Sequence, residues 1–301
     1  MRSFGSILLL FAVSLLAAAA LAYPAWVLIG LLDDQPIHRI LHRLAMLAAI
    51  VGMVWLVRRW RLTDKQSAGF GLPRRTFWKQ IGTGLLLGAV IIAPLLLSLH
   101  WLDVRTADPT ADVTAGRMAK VLLKGLLTGL VVSFIEELFF RGYLFTAIER
   151  ESGRLLAIVL PSLLYASVHF LDGRLRVPRD EIEWDSGFTV LSRMFLAYND
   201  PLRILDSFLA LFAVGVLLAI ARARSGAIAL CIGMHAAWVC LLYLDETITQ
   251  FNPDSNARWL VGSYDNVIGW GTVAWMGVMA GAYWLAARNA GSVAVGLRKS
   301  G

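Results

Sequence analysis

Charge is scarce in this chain: Asp, Glu, Lys and Arg make up 16% of its 301 residues, against about 25% in an average soluble domain. Beside that scarcity, 58% of the residues fall in the set Ala, Val, Ile, Leu, Met, Phe, Trp, Tyr and Cys, so an ordinary soluble globule is excluded. There are only two cysteines, too few for a disulfide-stapled secreted scaffold. Cys231 and Cys240 share one apolar segment and stand ~13 Å apart if it is helical, beyond disulfide reach, so they read as small buried hydrophobes. Glycine shows no period and no block has low hydrophobicity, which removes collagenous and disordered chains. No internal repeat or low-complexity linker divides the sequence, and 1–301 reads as a single integral membrane domain.

What the chain does have is apolar length. Runs free of Asp, Glu, Lys and Arg fall at 3–32, 44–57, 81–102, 125–135, 155–171, 207–221, 225–244 and 266–287. A helical crossing needs ~20 apolar residues, so the pattern predicts an all-α class, a polytopic transmembrane helical bundle of about eight spans. The second and sixth runs need their flanks to reach that length. The fourth crosses only as part of a longer helix, about 120–148, that carries Glu136, Glu137 and Arg141 into the membrane.

A net charge of +7 would suit a nucleic-acid partner, but the positions of the charges argue for topology instead. Threaded with the N-terminus in the cytoplasm, the 28 Lys and Arg divide into 15 inside, 10 outside and 3 within the fourth helix, while 16 of the 21 acidic residues lie outside. Short basic inner loops follow the positive-inside rule. Both termini are therefore expected in the cytoplasm, with loops 103–118, 172–202 and 245–265 outside. The expected setting is a bacterial-type inner (plasma) membrane, with the lipid bilayer as partner and no nucleic acid. Residues 6–22, ending in Ala20-Leu21-Ala22, fit a cleavable signal peptide. The apolar run continues ten residues past Ala22 and only Arg2 precedes it, which favours a retained anchor.

The chemistry concentrates where polar residues interrupt these runs. Adjacent carboxylates at Glu136 and Glu137 are costly in an apolar helix, ~2.5–3.5 kcal/mol for a central charge. Glu137 and Arg141 are four apart on one face and can pair, while Glu136 points ~100° away. Two later segments carry His169 and His235. Counted from the cytoplasmic ends, Glu136, His169 and His235 lie ~15–21 Å deep, so three helices can bring one carboxylate and two imidazoles to one level, in a cavity expected to open towards the cytoplasm. A structural ion cluster is the plain alternative for Glu136, Glu137 and Arg141.

Together these residues resemble the CPBP family of intramembrane proteases, also called the Abi or CAAX prenyl endopeptidase family. Glu-Glu-x-x-x-Arg is matched by Glu136, Glu137 and Arg141. Phe-x-x-x-His is matched by Tyr165 and His169 with an aromatic exchange, and His-x-x-x-Asn by His235, with Val239 in place of Asn. The resemblance covers roughly 120–244, the expected catalytic core. It implies an endopeptidase acting on a membrane-associated or prenylated-type peptide or protein. Glu136 would activate water, His169 and His235 would assist, and Glu137, Arg141 and Tyr165 would support them. A desolvated Glu suits the base role. A divalent metal such as zinc on Glu136, His169 and His235 is an equally workable set.

Other features carry less. His38 and His42 have metal-pair spacing but lack the Glu of H-E-x-x-H, His100 reads as interfacial, and Ser225 sits at a membrane edge. Trp residues near the segment ends read as interfacial belts. A proton-coupled transporter and a catalytically silent scaffold or immunity factor are the alternatives from other functional classes; the first should show paired broken helices or an inverted repeat, and the second fits Val239.

Overall fold

Apolar runs this long leave the backbone no partner but itself, which in a bilayer means helix. The computed structural model describes residues 1–31, 35–171 and 177–299, without the side chains of 284 and 286–299. Within it run α1 (Arg2–Ile29), α2 (Ile37–Arg59), α3 (Arg74–Trp101), α4 (Ala115–Glu137), a π-helical turn (Leu138–Leu144), α5 (Phe145–Ser152) and α6 (Arg154–Val168). There follow α7 (Ser186–Met194), α8 (Pro201–Ser225), α9 (Ala229–Ile248) and α10 (Trp270–Lys299).

Each of the eight apolar runs lands on one helix or, for the fourth, on the composite α4–π–α5. Among the described residues six helices are long and apolar enough to cross a membrane: α1, α2, α3, the 38-residue composite Ala115–Ser152, α8 and α9. The fifth run gives the 15-residue α6, shorter than a full crossing, and the eighth gives the 30-residue α10. Of the long connection between α6 and α7, residues 172–176 lie outside the described residues, as do 32–34.

Loops of like charge gather at one end of the bundle. At the basic end the α2–α3 loop meets α5 and the α8–α9 turn: the Thr146 hydroxyl donates to the Ser67 carbonyl at 2.9 Å and the Ile228 amide to the Gly69 carbonyl at 3.1 Å. At the acidic end β1 (Arg105–Ala107) and β2 (Thr249–Phe251) pair antiparallel, with Thr106 opposite Gln250. There Asp245 is buried between His100 (2.7 Å) and Arg105 (2.6 Å), which ties the end of α3 and β1 to α9. The amphipathic α7, within the 172–202 connection, lays Val190 and Met194 against Ala18, Ala19 and Ala22 of α1.

The helix that positions the site is α9, buried without a break from Ala229 to Trp238. Small residues let its neighbours approach backbone to backbone, the way helices associate where apolar side chains gain nothing over lipid. A Cβ added at Gly84 or Gly88 of α3 would stand 2.4 Å from the Leu230 carbonyl or 2.6 Å from that of Met234. On the other flank, a Cβ at Gly129 of α4 would stand 2.6 Å from the Ala236 carbonyl. These seams fix α9, and with it His235, against α4.

Candidate active site

The buried stripe of α4 runs Val121, Gly125, Gly129, Ser133 and Glu137, every fourth residue, so the face that packs on α9 ends in a carboxylate. Glu137 is 0% exposed. Its Oε1 accepts from Arg141 Nη1 at 3.1 Å and lies 2.9 Å from His235 Nδ1. The expected Glu137–Arg141 pair is present, and the imidazole of His235 joins it. Facing a carboxylate, Nδ1 is the protonated nitrogen, which leaves Nε2 as the atom His235 turns outward.

Immediately after Glu137 the helix widens into its π turn, where the Phe145 amide bonds back to the Phe140 carbonyl. Such turns recur at functional sites. Here α8 holds the turn from both sides of Arg141. The Arg141 guanidinium donates to the Gly215 carbonyl at 3.2 Å, and Arg222 Nε donates to the Arg141 carbonyl at 2.9 Å. Arg141 also lies over the Tyr165 ring, 4.7 Å from its centroid.

Glu136 projects to the side, as its helical phase requires, and is 28% exposed. Its Oε2 stands 3.9 Å from His235 Nε2. His169 caps the end of α6, which explains its place at the outer edge of the fifth run. Its Nδ1 sits 2.7 Å from the Tyr165 carbonyl and so carries the proton, leaving Nε2 free to act. The Tyr165 ring bridges the histidines, with centroids 4.4 Å from His169 and 6.2 Å from His235. Each histidine therefore packs on the same tyrosine ring. Three polar atoms of this cluster, Glu136 Oε2, Glu137 Oε2 and Arg141 Nε, are buried without a hydrogen-bond partner among the described residues. Buried polar atoms are rarely left so, and their concentration here marks a place built to receive a polar group.

A cavity of about 160 Å³ adjoins the histidines, and Tyr165, His169, His235 and Val239 lie on its wall. Otherwise its lining is largely aliphatic and aromatic, from Ile92, Leu95, Val214, Trp238 and Met276 among others. Every contributing helix gives its middle or its acidic-end half, and Tyr264, Val267 and Ile268 of the acidic-end loop close it. This cavity carries His169 and His235 without Glu136 and extends towards the acidic-end loop, whereas the depth argument expects one shared by all three residues and open to the basic end. Val239 makes its wall apolar where the resemblance places an amide.

In donor chemistry the residues suit a divalent metal: each histidine has its Nδ1 bonded to an oxygen and its Nε2 directed away, as in metal ligation. In spacing they do not, since no group of three His, Cys, Asp or Glu among the described residues can hold a metal ion.

Sequence reasoning missed the Glu137–His235 contact, Arg222 and Tyr264. A basic residue inside the sixth apolar helix was the available sign for Arg222. Residues 118–241 match the family model of Rce1-like type II CAAX prenyl endopeptidases, in agreement with the motif resemblance. No curated protein and no solved structure matches the chain significantly.

Proposed function

We propose, from the premise that residues 118–241 form an Rce1-like domain, that this membrane protein is an endopeptidase of the type II CAAX kind and hydrolyses a peptide bond of a membrane-associated or prenylated-type peptide. The observation that supports the reading is the contact of His235 with both glutamates, its Nε2 3.9 Å from Glu136 Oε2 and its Nδ1 anchored on Glu137, with His169 on the same Tyr165 ring.

Peptide hydrolysis needs a base for water, donors for the oxyanion and a proton for the leaving amine. Glu136 is the base. Its unpartnered Oε2 holds the water together with an imidazole Nε2 and takes its proton as the oxygen attacks the carbonyl. His235, held through Nδ1 on Glu137, turns its Nε2 towards Glu136 and positions the water and the developing oxyanion. His169 orients the water and the carbonyl. Collapse of the tetrahedral adduct breaks the C–N bond, and Glu136 returns the proton to the amine. Glu137, Arg141 and Tyr165 position these groups.

The scheme routes no step through a metal. Elemental analysis of purified protein, followed by chelation, separates it from ligation by Glu136, His169 and His235: hydrolysis that persists in metal-free protein supports the glutamate scheme. Stoichiometric metal lost together with hydrolysis refutes it. Glu136→Gln, which keeps size and removes the base, folds and fails to cleave. A transporter or silent scaffold gives no cleavage products at all from the wild-type protein.

A further inference from the structure

Two arginines close α8 and face opposite ways. Arg224 is exposed, as a basic residue at the end of a span is expected to be, whereas Arg222 is 7% exposed and turned into the bundle. A guanidinium inside a spanning helix is costly and marks a functional position by default. The contacts of Arg222 among the described residues are to neutral groups: Nε donates to the Arg141 carbonyl at 2.9 Å, Nη2 donates to the Thr146 hydroxyl at 3.4 Å, and the cation lies 5.5 Å from the Phe145 ring centroid. What it gives the bundle is hydrogen-bond donors.

The carbonyl it serves has a special place in the helix. A π turn is closed by i→i+5 bonds where an α-helix is closed by i→i+4, so it holds one residue more, and on the return to α spacing one carbonyl is passed over. At the end of the turn Leu138–Leu144 the Phe145 amide points to Phe140 and Gly142 rather than to Arg141, and α5 begins there. The Arg141 carbonyl is the one passed over, on a residue 1% exposed, and a buried carbonyl needs a donor. Arg222 Nε supplies it. Without that donor the turn regains a backbone bond by tightening to α spacing, which turns Arg141 away from its present contacts.

Those contacts lead to the site in three steps. Arg141 Nη1 donates to Glu137 Oε1 at 3.1 Å, the same oxygen holds His235 Nδ1 at 2.9 Å, and His235 Nε2 stands 3.9 Å from Glu136. We infer that Arg222 is a positioning residue for the hydrolysis: the N–H at its Nε fills the carbonyl that the π turn leaves open, fixes Arg141 and Glu137, and so keeps the His235 imidazole with Nδ1 on Glu137 and Nε2 towards Glu136. The consequence for turnover rests on the proteolytic reading above. The hold on His235 does not.

Two variants of equal length separate the N–H from bulk and charge. Arg222→Gln sets an amide N–H as many bonds from Cα as the arginine Nε, and Arg222→Met sets a methyl there. In protein carrying isotope-labelled histidine and purified in detergent, His235 is read by NMR from its Nδ1–H proton, assigned by its disappearance in His235→Gln. All spectra are taken well below each variant's thermal midpoint, where a change in global stability alone leaves the signal of folded protein in place. Wild type and Arg222→Gln are expected to show the proton with the same slow exchange, and Arg222→Met to lose it or to exchange it about tenfold faster. Its absence from wild type, its persistence at the wild-type rate in Arg222→Met, or its loss in Arg222→Gln overturns the inference. Where Arg222→Met is not recovered as monodisperse protein, Arg222→Leu, equally without a donor, takes its place. On a cleaved peptide the same order is expected in kcat with KM unchanged, since Arg222 acts through Arg141 and touches no substrate. Absence of cleavage by wild type removes the proteolytic reading and leaves the histidine result standing, while an unresponsive histidine proton removes the role of Arg222 and leaves hydrolysis standing.

Discussion

Replacing Arg141 by Ala removes three contacts at once: the 3.1 Å ion pair to buried Glu137, the 3.2 Å donation to the Gly215 carbonyl and the cation over Tyr165 at 4.7 Å. Removing one partner of a buried pair costs about 3–5 kcal/mol, because the other charge is left unbalanced. The other two contacts overlap with that figure rather than adding to it, since all three end on one guanidinium. A loss of about 3 kcal/mol is a change of roughly a hundredfold in the folded-to-unfolded ratio. The expected result is a sharp fall in monodisperse yield and in the thermal midpoint in detergent, preceding any selective loss of turnover. Arg141→Lys retains the charge without the planar fork that reaches both Glu137 and Gly215, and falls between. A melting temperature of Arg141→Ala within about 1 °C of wild type, where a loss of 3 kcal/mol moves a chain of this length by about 5 °C, would refute the argument that the pair is structural.

Further expectations follow from other parts of the molecule. Gly129→Leu forces α4 away from the Ala236 carbonyl and so abolishes folded yield, while Gly129→Ala, with one carbon to accommodate, lowers the thermal midpoint by several degrees. Val239→Asn keeps hydrolytic activity, because the wall position tolerates an amide that the resemblance places there. Asp64 accepts from the Ser67 amide and hydroxyl, which hold its carboxyl below the ordinary carboxylate range. A carboxyl lowered by folding stabilises above its unfolded value near about 3.9 and loses that contribution as pH falls through its folded value. Hydrogen exchange at Ser67–Gly69, corrected for intrinsic rate, therefore accelerates on acidification below about pH 4, and Asp64→Asn removes the acid dependence.

The helices were legible in the sequence because a bilayer permits little else: a long run without charge has one backbone solution, and each of the eight runs became a helix or part of one. The candidate residues stand out in the sequence because a carboxylate or imidazole at that depth is costly. Their bonding to one another does not. Heptad-style phase places Glu137 beside Arg141, yet nothing in the sequence announces that α9 rotates His235 onto the same carboxylate, a consequence of glycine seams whose partner backbones lie more than a hundred residues away. The π turn was equally hidden, because Leu138–Leu144 reads like any apolar helix and the widened turn is held by contacts from α8. The contacts of the loop after α2 were hidden as well, since Ser67, Ala68 and Gly69 are buried against α5 and the α8–α9 turn within an otherwise polar stretch. Short elements in polar connections, α7 and the β1–β2 pair, carry no strong periodic signal and depend on the surfaces they cover.

The most direct measurement of the proteolytic reading compares wild-type protein with Glu136→Gln, both purified in detergent, against one mixture of apolar peptides with products identified by mass spectrometry. Wild type is expected to generate new termini at defined bonds. Glu136→Gln, with the same melting temperature and elution volume, is expected to generate none, because the amide cannot take the proton from water. Cleavage of the same bonds by Glu136→Gln at the wild-type rate would contradict the assignment of Glu136 as the base.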